Sequence, residues 1–131
     1  MPHSDRVFLT GGSGFVGSHI LRELLAAGYA VRALAHSVML NNVMLNNVML
    51  SEVEARRMTE DHLEVIEGDL QNVGAFAQAL QGCRYLVHCA ALYSFAPRRR
   101  AEIERVNVDG TASLMLAAEL AGVERVVLTS S

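Results

Sequence analysis

An apolar run, Val7-Phe8-Leu9-Thr10, ends in a cluster of glycines, and the cluster opens onto residues with helical spacing. No other stretch restricts the chain so tightly. Gly11, Gly14 and Gly17 read as G-x-x-G-x-x-G, and Gly12, Gly14 and Gly17 read equally as G-x-G-x-x-G. A strand that turns sharply into a helix needs glycine where φ is positive or where backbone must come close to a ligand. The helix then presents unpaired N–H groups and a partial positive charge at its N-terminus, which suits a pyrophosphate. Glycine-rich turns that bind nothing are common. The strand before and the helix after supply the context that a dinucleotide site requires.

The 131 residues suffice for one domain with a real core and are too few for two, so residues 1–131 are expected to be a single dinucleotide-binding domain. Hydrophobic residues make up 51% and charged residues 19%, the balance of a globular chain rather than a disordered one. A net charge of −3 gives no electrostatic footprint for nucleic acid. The basic run Arg98-Arg99-Arg100 is followed at once by Glu102 and Glu104 and reads as a solvated loop. There is no apolar stretch long enough to span a membrane, and residues 1–6 lack a signal-type apolar segment, so the expectation is a cytoplasmic protein without a membrane partner. Cys83 and Cys89 are spaced for neither zinc nor a redox motif.

Past the turn, Val16, Ile20 and Leu24 fall at i, i+4 and i+8 with Leu21 and Leu25 beside them, one apolar stripe on a helix that Gly28 is placed to stop. Residues 29–35 read as a second strand, completing a right-handed βαβ unit. Residues 63–67 read as a third strand, followed by Gly68-Asp69-Leu70 and a short helix over about residues 73–80. Tyr85-Leu86-Val87-His88 is a fourth strand. A long helix over about residues 103–120 turns Val106, Leu114, Ala117, Ala118 and Ala121 toward a sheet, with Gly110 in its middle at a cost of about 1 kcal/mol against alanine. Val126-Val127-Leu128 is a fifth strand. This alternation predicts an α/β fold, a doubly wound parallel sheet in the order 3-2-1-4-5. Its switch point between strands one and four lies beside the glycine turn, where ligands of such sheets sit.

Between strands two and three, Val38-Met39-Leu40-Asn41-Asn42 repeats as Val43-Met44-Leu45-Asn46-Asn47, and Val48-Met49-Leu50 starts a third copy. Period five matches neither strand nor helix, and fewer than three complete copies cannot bury a solenoid core. Residues 38–50 therefore read as a tandem-repeat insertion in the crossover after strand two, adding length without function. Ser51 and Glu54 have capping-box spacing for a helix start.

NAD sites of this type ordinarily carry an acid about twenty residues past the glycines to hold a ribose 2′-hydroxyl. Here strand two ends Ala33-Leu34-Ala35-His36, without a carboxylate, and Arg32 and His36 are the polar candidates. Missing repulsion and nearby positive charge favour a 2′-phosphate, hence NADP, with NAD still open; a solvent-facing Arg32 is the competing reading.

Residues 10–17, Gly68-Asp69-Leu70, His88-Cys89-Ala90-Ala91, Val106-Asn107-Val108-Asp109-Gly110-Thr111 and residues 122–131 come in an order that resembles the extended short-chain dehydrogenases. The branch it looks most like is the dihydroflavonol-reductase-like and NAD-dependent epimerase/dehydratase one. The resemblance covers nearly the whole chain apart from residues 38–50 and implies a Rossmann-type sheet, truncated after its fifth strand. It implies that Gly11, Gly14, Phe15 and Val16 line the pyrophosphate, and that Asp69 with Leu70 holds the adenine. Cys89, Ala90 and Ala91 would run under the nicotinamide ribose, with residues 93–96 opening the substrate side. Asn107 would meet the cofactor from the long helix, and Ser131 matches the catalytic serine that polarises the substrate oxygen. The family's NADP-using reductases have arginine at the position of His36, a departure that bears on the coenzyme.

A second departure is larger. The family's tyrosine acid/base and the lysine four residues after it lie downstream of the serine, and Tyr29, Tyr85 and Tyr93 are not in that motif. The expectation is the NADP(H)-binding portion of a carbonyl reductase or a sugar-nucleotide epimerase/dehydratase, inactive as this chain because proton transfer has no positioned donor. The alternative, from another class, is a catalytically silent nucleotide-binding or self-assembling module. Strand five, where the family continues the sheet, would be an apolar edge, which predicts a homo-oligomer. His88 and Cys89 face opposite ways as strand neighbours and make no metal site; His19 reads as a surface or packing residue.

Overall fold

The computed structural model describes residues 5–12, 14–35, 62–89, 101, 103 and 105–129. Five parallel strands form one sheet: β1 (Arg6–Thr10), β2 (Ala30–Ala35), β3 (Leu63–Glu67), β4 (Tyr85–His88) and β5 (Arg125–Leu128). Their order across the sheet is β3-β2-β1-β4-β5, as the alternation of elements predicts. Helix α1 (Phe15–Ala26) links β1 to β2, and helix α2 (Thr111–Ala121) precedes β5.

The central strand is apolar at every interior position because both of its faces are covered. Successive side chains point to opposite sides. Val7 and Leu9 join Val31, Ala33, Ala35 and Val87 against Leu21 and Leu25 of α1. Phe8 joins Leu34 and Leu86 on the other side, against Leu114 and Ala118 of α2 and the buried Val73, Phe76 and Leu80.

Helix α1 buries Gly17, Ser18, Leu21 and Leu25, with Ile20 and Leu24 only partly covered and Val16 exposed. The buried stripe is thus rotated by one residue from the predicted one. The cause is Gly17: a Cβ there would lie 1.8 Å from the Gly11 carbonyl oxygen, so the helix packs directly on the turn through its glycine. The far end stops as predicted. Gly28 has φ 91°, its N–H donates to Leu25 O at 3.0 Å, and the Tyr29 N–H donates to Leu24 O at 3.0 Å, a Schellman arrangement.

Two helical expectations are corrected. The stretch predicted as a helix at 73–80 is two 3-10 segments, Leu70–Ala75 and Ala77–Leu80, and it starts earlier. Asp69 caps the first segment, its Oδ1 accepting from the Gln71 N–H at 2.9 Å, and Asn72 breaks the helical path with φ −140° and ψ 65°. The long helix is not uniform either. Arg105–Gly110 forms a π-helical turn, with α-helical residues at 101 and 103 before it and the α-helix Thr111–Ala121 after it. Within α2, Leu114 and Ala118 are buried as expected, while the Val106 side chain lies outside the described residues. Residues 38–50 and the capping box at Ser51 lie outside them as well.

These contacts predict that Gly17→Ala destabilises the fold by about 3 kcal/mol or more, because the opposing group is backbone and cannot rotate away. Gly74→Ala, whose Cβ meets nothing within 4 Å among the described residues, should be neutral to within about 1 kcal/mol. Urea unfolding of the two variants beside the unaltered chain checks both.

Candidate functional site

The chain leaves β1 toward β2 on one side, and β4 pairs on the other side of β1. In a sheet of this order the carboxyl ends of β1 and β4 flank the switch point, where the crevice that takes ligands is expected. The glycine turn stands at its mouth. Gly11 takes φ 75°, and its carbonyl oxygen accepts from the Gly14 N–H at 3.0 Å. Gly14 is extended, at φ −81° and ψ 174°, and caps α1 with its own carbonyl accepting from the Ser18 N–H at 2.8 Å. Among the described residues, a Cβ on Gly14 would meet only the Gly11 carbonyl oxygen, at 3.4 Å, an ordinary contact. Packing among the described residues thus needs glycine at 11 and 17 but not at 14. Phe15 and Val16, the first residues of α1, are 83% and 52% exposed. Phe15 stands edge-on to His19, with ring centroids 5.1 Å apart, so His19 is a surface packing residue.

At the base of the crevice lies a polar group that the sequence reading passed over. Thr10 and His88 are register partners at the ends of β1 and β4, and both are buried. Thr10 Oγ1 is 2.6 Å from His88 Nδ1 and also accepts the Cys89 N–H at 3.0 Å. His88 Nε2 is 3.0 Å from Oγ1 of Thr111, the first residue of α2. Burial holds the His88 pKa below its ordinary 6.5. The signal in the sequence was a polar residue closing each of two apolar runs, but pairing them requires the strand register.

The other expected residues distribute as follows. Asp69 is exposed just past the end of β3, with one carboxylate oxygen engaged by the Gln71 amide. Leu70 is buried in the core, so only its backbone faces any ligand. Cys89 follows β4 directly and is half-buried; burial raises its thiol pKa, which a hydrogen bond with Thr129 partly offsets, so it is no thiolate nucleophile. Asn107 sits half-buried in the π-helical turn, which packs on the segment Leu70–Ala75. Arg32 is otherwise employed. It sits mid-strand, three residues and about 10 Å short of the end of β2. Its Nε donates to Glu64 at 2.9 Å, and its Nη1 to the carbonyls of Ala79 at 2.7 Å and Gln81 at 3.1 Å. That ties β2 to β3 and to the 3-10 segment, and a 2′-phosphate would have to break it. His36, Ala90, Ala91, residues 93–96 and Ser131 lie outside the described residues. Among the described residues no cluster of His, Cys, Asp or Glu could hold a metal ion, and no helix is long and apolar enough to cross a membrane.

The sequence model of the NAD dependent epimerase/dehydratase family matches residues 7–131. Dihydroflavonol 4-reductase of Hordeum vulgare is 36% identical over 127 residues, which cover 95% of this chain and 34% of that protein. Two solved structures are similar. One is a short-chain dehydrogenase/reductase superfamily protein from Agrobacterium tumefaciens with bound NAD, with TM-score 0.73 and 28% identity over 96% of this chain and 32% of that one. The other is Gre2 from Candida albicans in complex with NADPH, with TM-score 0.76 and 25% identity over 97% of this chain and 37% of that one. The chain spans about a third of the length of the curated relatives it matches.

The buried His88 makes stability depend on pH. Its native pKa lies below the unfolded value, so the unfolded chain binds more protons between the two. The His88 contribution is therefore whole above about pH 6.5 and declines as the pH falls through that value toward the lowered native pKa. Urea unfolding between about pH 7 and pH 5 should show this decline, and His88→Gln should flatten it.

Proposed function

Because the chain belongs to the NAD dependent epimerase/dehydratase family, we propose that its residues bind a nicotinamide dinucleotide across the ends of β1 and β4 and prefer NADP(H). One observation carries the reading: Gly14 is a glycine that the fold itself does not require, in front of a helix N-terminus packed tightly on the turn by Gly17. Backbone amides and the helix dipole there suit a pyrophosphate. Gly11 and Gly14 form the turn, and the exposed Phe15 and Val16 offer apolar surface beside it. Asp69 with the Leu70 backbone is assigned to the adenine side, Cys89-Ala90-Ala91 to the nicotinamide ribose, and Asn107 to the helix side. The coenzyme preference rests on the end of β2, where Ala35 and His36 stand in place of a carboxylate. Arg32 is left out of the site on account of its hydrogen bonds to Glu64 and to the Ala79 and Gln81 carbonyls. Both cysteines are free thiols, which suits a reducing cytoplasm.

When bound, the nicotinamide supplies or takes a hydride; the residues of this chain hold and orient it. Ser131 is assigned to polarise a substrate oxygen in a reductase or epimerase/dehydratase reaction. All 11 Lys-or-Arg positions are arginines, so no Tyr-x-x-x-Lys pair lies within these 131 residues. By themselves they offer no positioned proton donor beside the serine.

We further propose that a second copy covers β5 and the outer face of α2. Leu116 and Leu120 are 58% and 80% exposed, and Val127 and Leu128 are each 50% exposed, which puts apolar surface on a helix and on the adjoining sheet edge. Sedimentation at high micromolar concentration should give a dimer or larger; a clean monomer refutes this part.

The cofactor reading predicts that calorimetric titration gives tighter binding for NADPH than for NADH. Gly14→Ala should weaken binding by roughly tenfold or more while altering stability by no more than about 1 kcal/mol. Equal or tighter NADH binding would sink the preference, and binding of neither coenzyme would sink the site.

A further inference from the structure

His88 has no part in the roles assigned so far, yet its ring reaches two other elements. Thr10 is the last residue of β1, immediately before the Gly11 turn; Thr111 is the first of α2, immediately after the π-helical turn that carries Asn107. The imidazole spans them with contacts of 2.6 Å and 3.0 Å. The same Thr10 hydroxyl receives the Cys89 N–H, so it also aligns the start of the segment assigned to the ribose. The His88 carbonyl accepts the Thr129 N–H at 3.1 Å and its hydroxyl at 3.4 Å, two residues before Ser131. Four segments bordering the crevice thus meet at one residue. A neutral imidazole offers one donor and one acceptor, which matches two hydroxyls, one on each side. Packing alone would be satisfied by valine at positions 10 and 111. A hydroxyl at both gives the contacts direction, and leaving the buried Thr10 or His88 unpaired is costly.

We propose that His88 is a positioning residue that bridges Thr10 and Thr111 and so sets the spacing between the glycine turn and the helix carrying Asn107, the two sides of the dinucleotide crevice. This rests on the cofactor reading above for its effect on binding, and on the geometry alone for the bridge.

Thr111→Val tests it, since it removes a hydroxyl at nearly constant volume and leaves the glycine turn untouched. In calorimetric titrations of the purified 131-residue chain with NADPH and NADH, Thr111→Val should bind roughly tenfold more weakly. Thr111→Ser, which restores the hydroxyl, should return to within about twofold. A valine variant that binds like the unaltered chain, or a serine variant as poor as the valine one, overturns the proposal. Should the unaltered chain bind neither coenzyme, the cofactor reading fails by itself, and hydrogen exchange of the Cys89 amide decides the bridge. Exchange is expected to be faster in Thr111→Val and protected in Thr111→Ser; unchanged exchange in Thr111→Val overturns it.

Discussion

The approach of α1 to its own entry turn governs the rest of the molecule. At 1.8 Å from an imagined Gly17 Cβ, the Gly11 carbonyl leaves room for a hydrogen and nothing more. That contact decides which face of α1 meets the sheet. Gly17, Leu21 and Leu25 then follow at i, i+4 and i+8, and the helix lies down along Val7, Leu9 and Val31. It also pushes Phe15 and Val16 outward to the mouth of the crevice. Any side chain at 17 would lift the helix off the turn, and the N-terminal amides would move away from the strand ends with it.

Much of this was legible because glycines punctuate the chain. Gly28 and Gly122 take φ 91° and 83° and stop α1 and α2 where the spacing predicted. The five strands emerged as short apolar runs between such stops, and the alternation of elements left little choice of sheet order. What periodicity could not resolve was the kind of helix. Val73, Phe76 and Leu80 lie at i, i+3 and i+7, a spacing that an α-helix and a pair of 3-10 segments bury equally well. The π-helical turn was likewise hidden, since Val106-Asn107-Val108-Asp109-Gly110 carries no mark of an extra residue per turn.

The site divides in the same way. Its glycines were legible because their role is local, set by φ and by close approach. The Thr10–His88–Thr111 bridge joins residues 78 and 23 positions apart, and only the β1–β4 register and the docking of α2 bring them together. Arg32 shows the converse. Its place near the end of β2 suggested a phosphate ligand, but alternation turns it to the face where the Ala79 and Gln81 carbonyls lie, and its pairing with Glu64 across the strands holds it there. Which face a strand residue takes cannot be judged from the residue alone when both faces are buried.

The two ends of the sheet are held by different physics, and the difference favours an anionic ligand at one of them. At the amino end, Arg84 pairs with Asp5 and Glu124, linking the start of β4 to the chain before β1 and to the chain before β5. These are exposed charges, open to screening by salt. At the carboxyl end the ties are neutral: two hydroxyls and an imidazole that burial keeps unprotonated. The first turn of α1 carries no acidic residue, so nothing on that turn cancels the partial positive charge at its N-terminus. Asp69, past the end of β3, turns one carboxylate oxygen to the Gln71 amide of its own segment. A phosphate arriving at the glycine turn therefore meets backbone amides and a helix dipole in a crevice whose shape is kept by uncharged bonds, and its binding leaves the ion pairs of the sheet undisturbed.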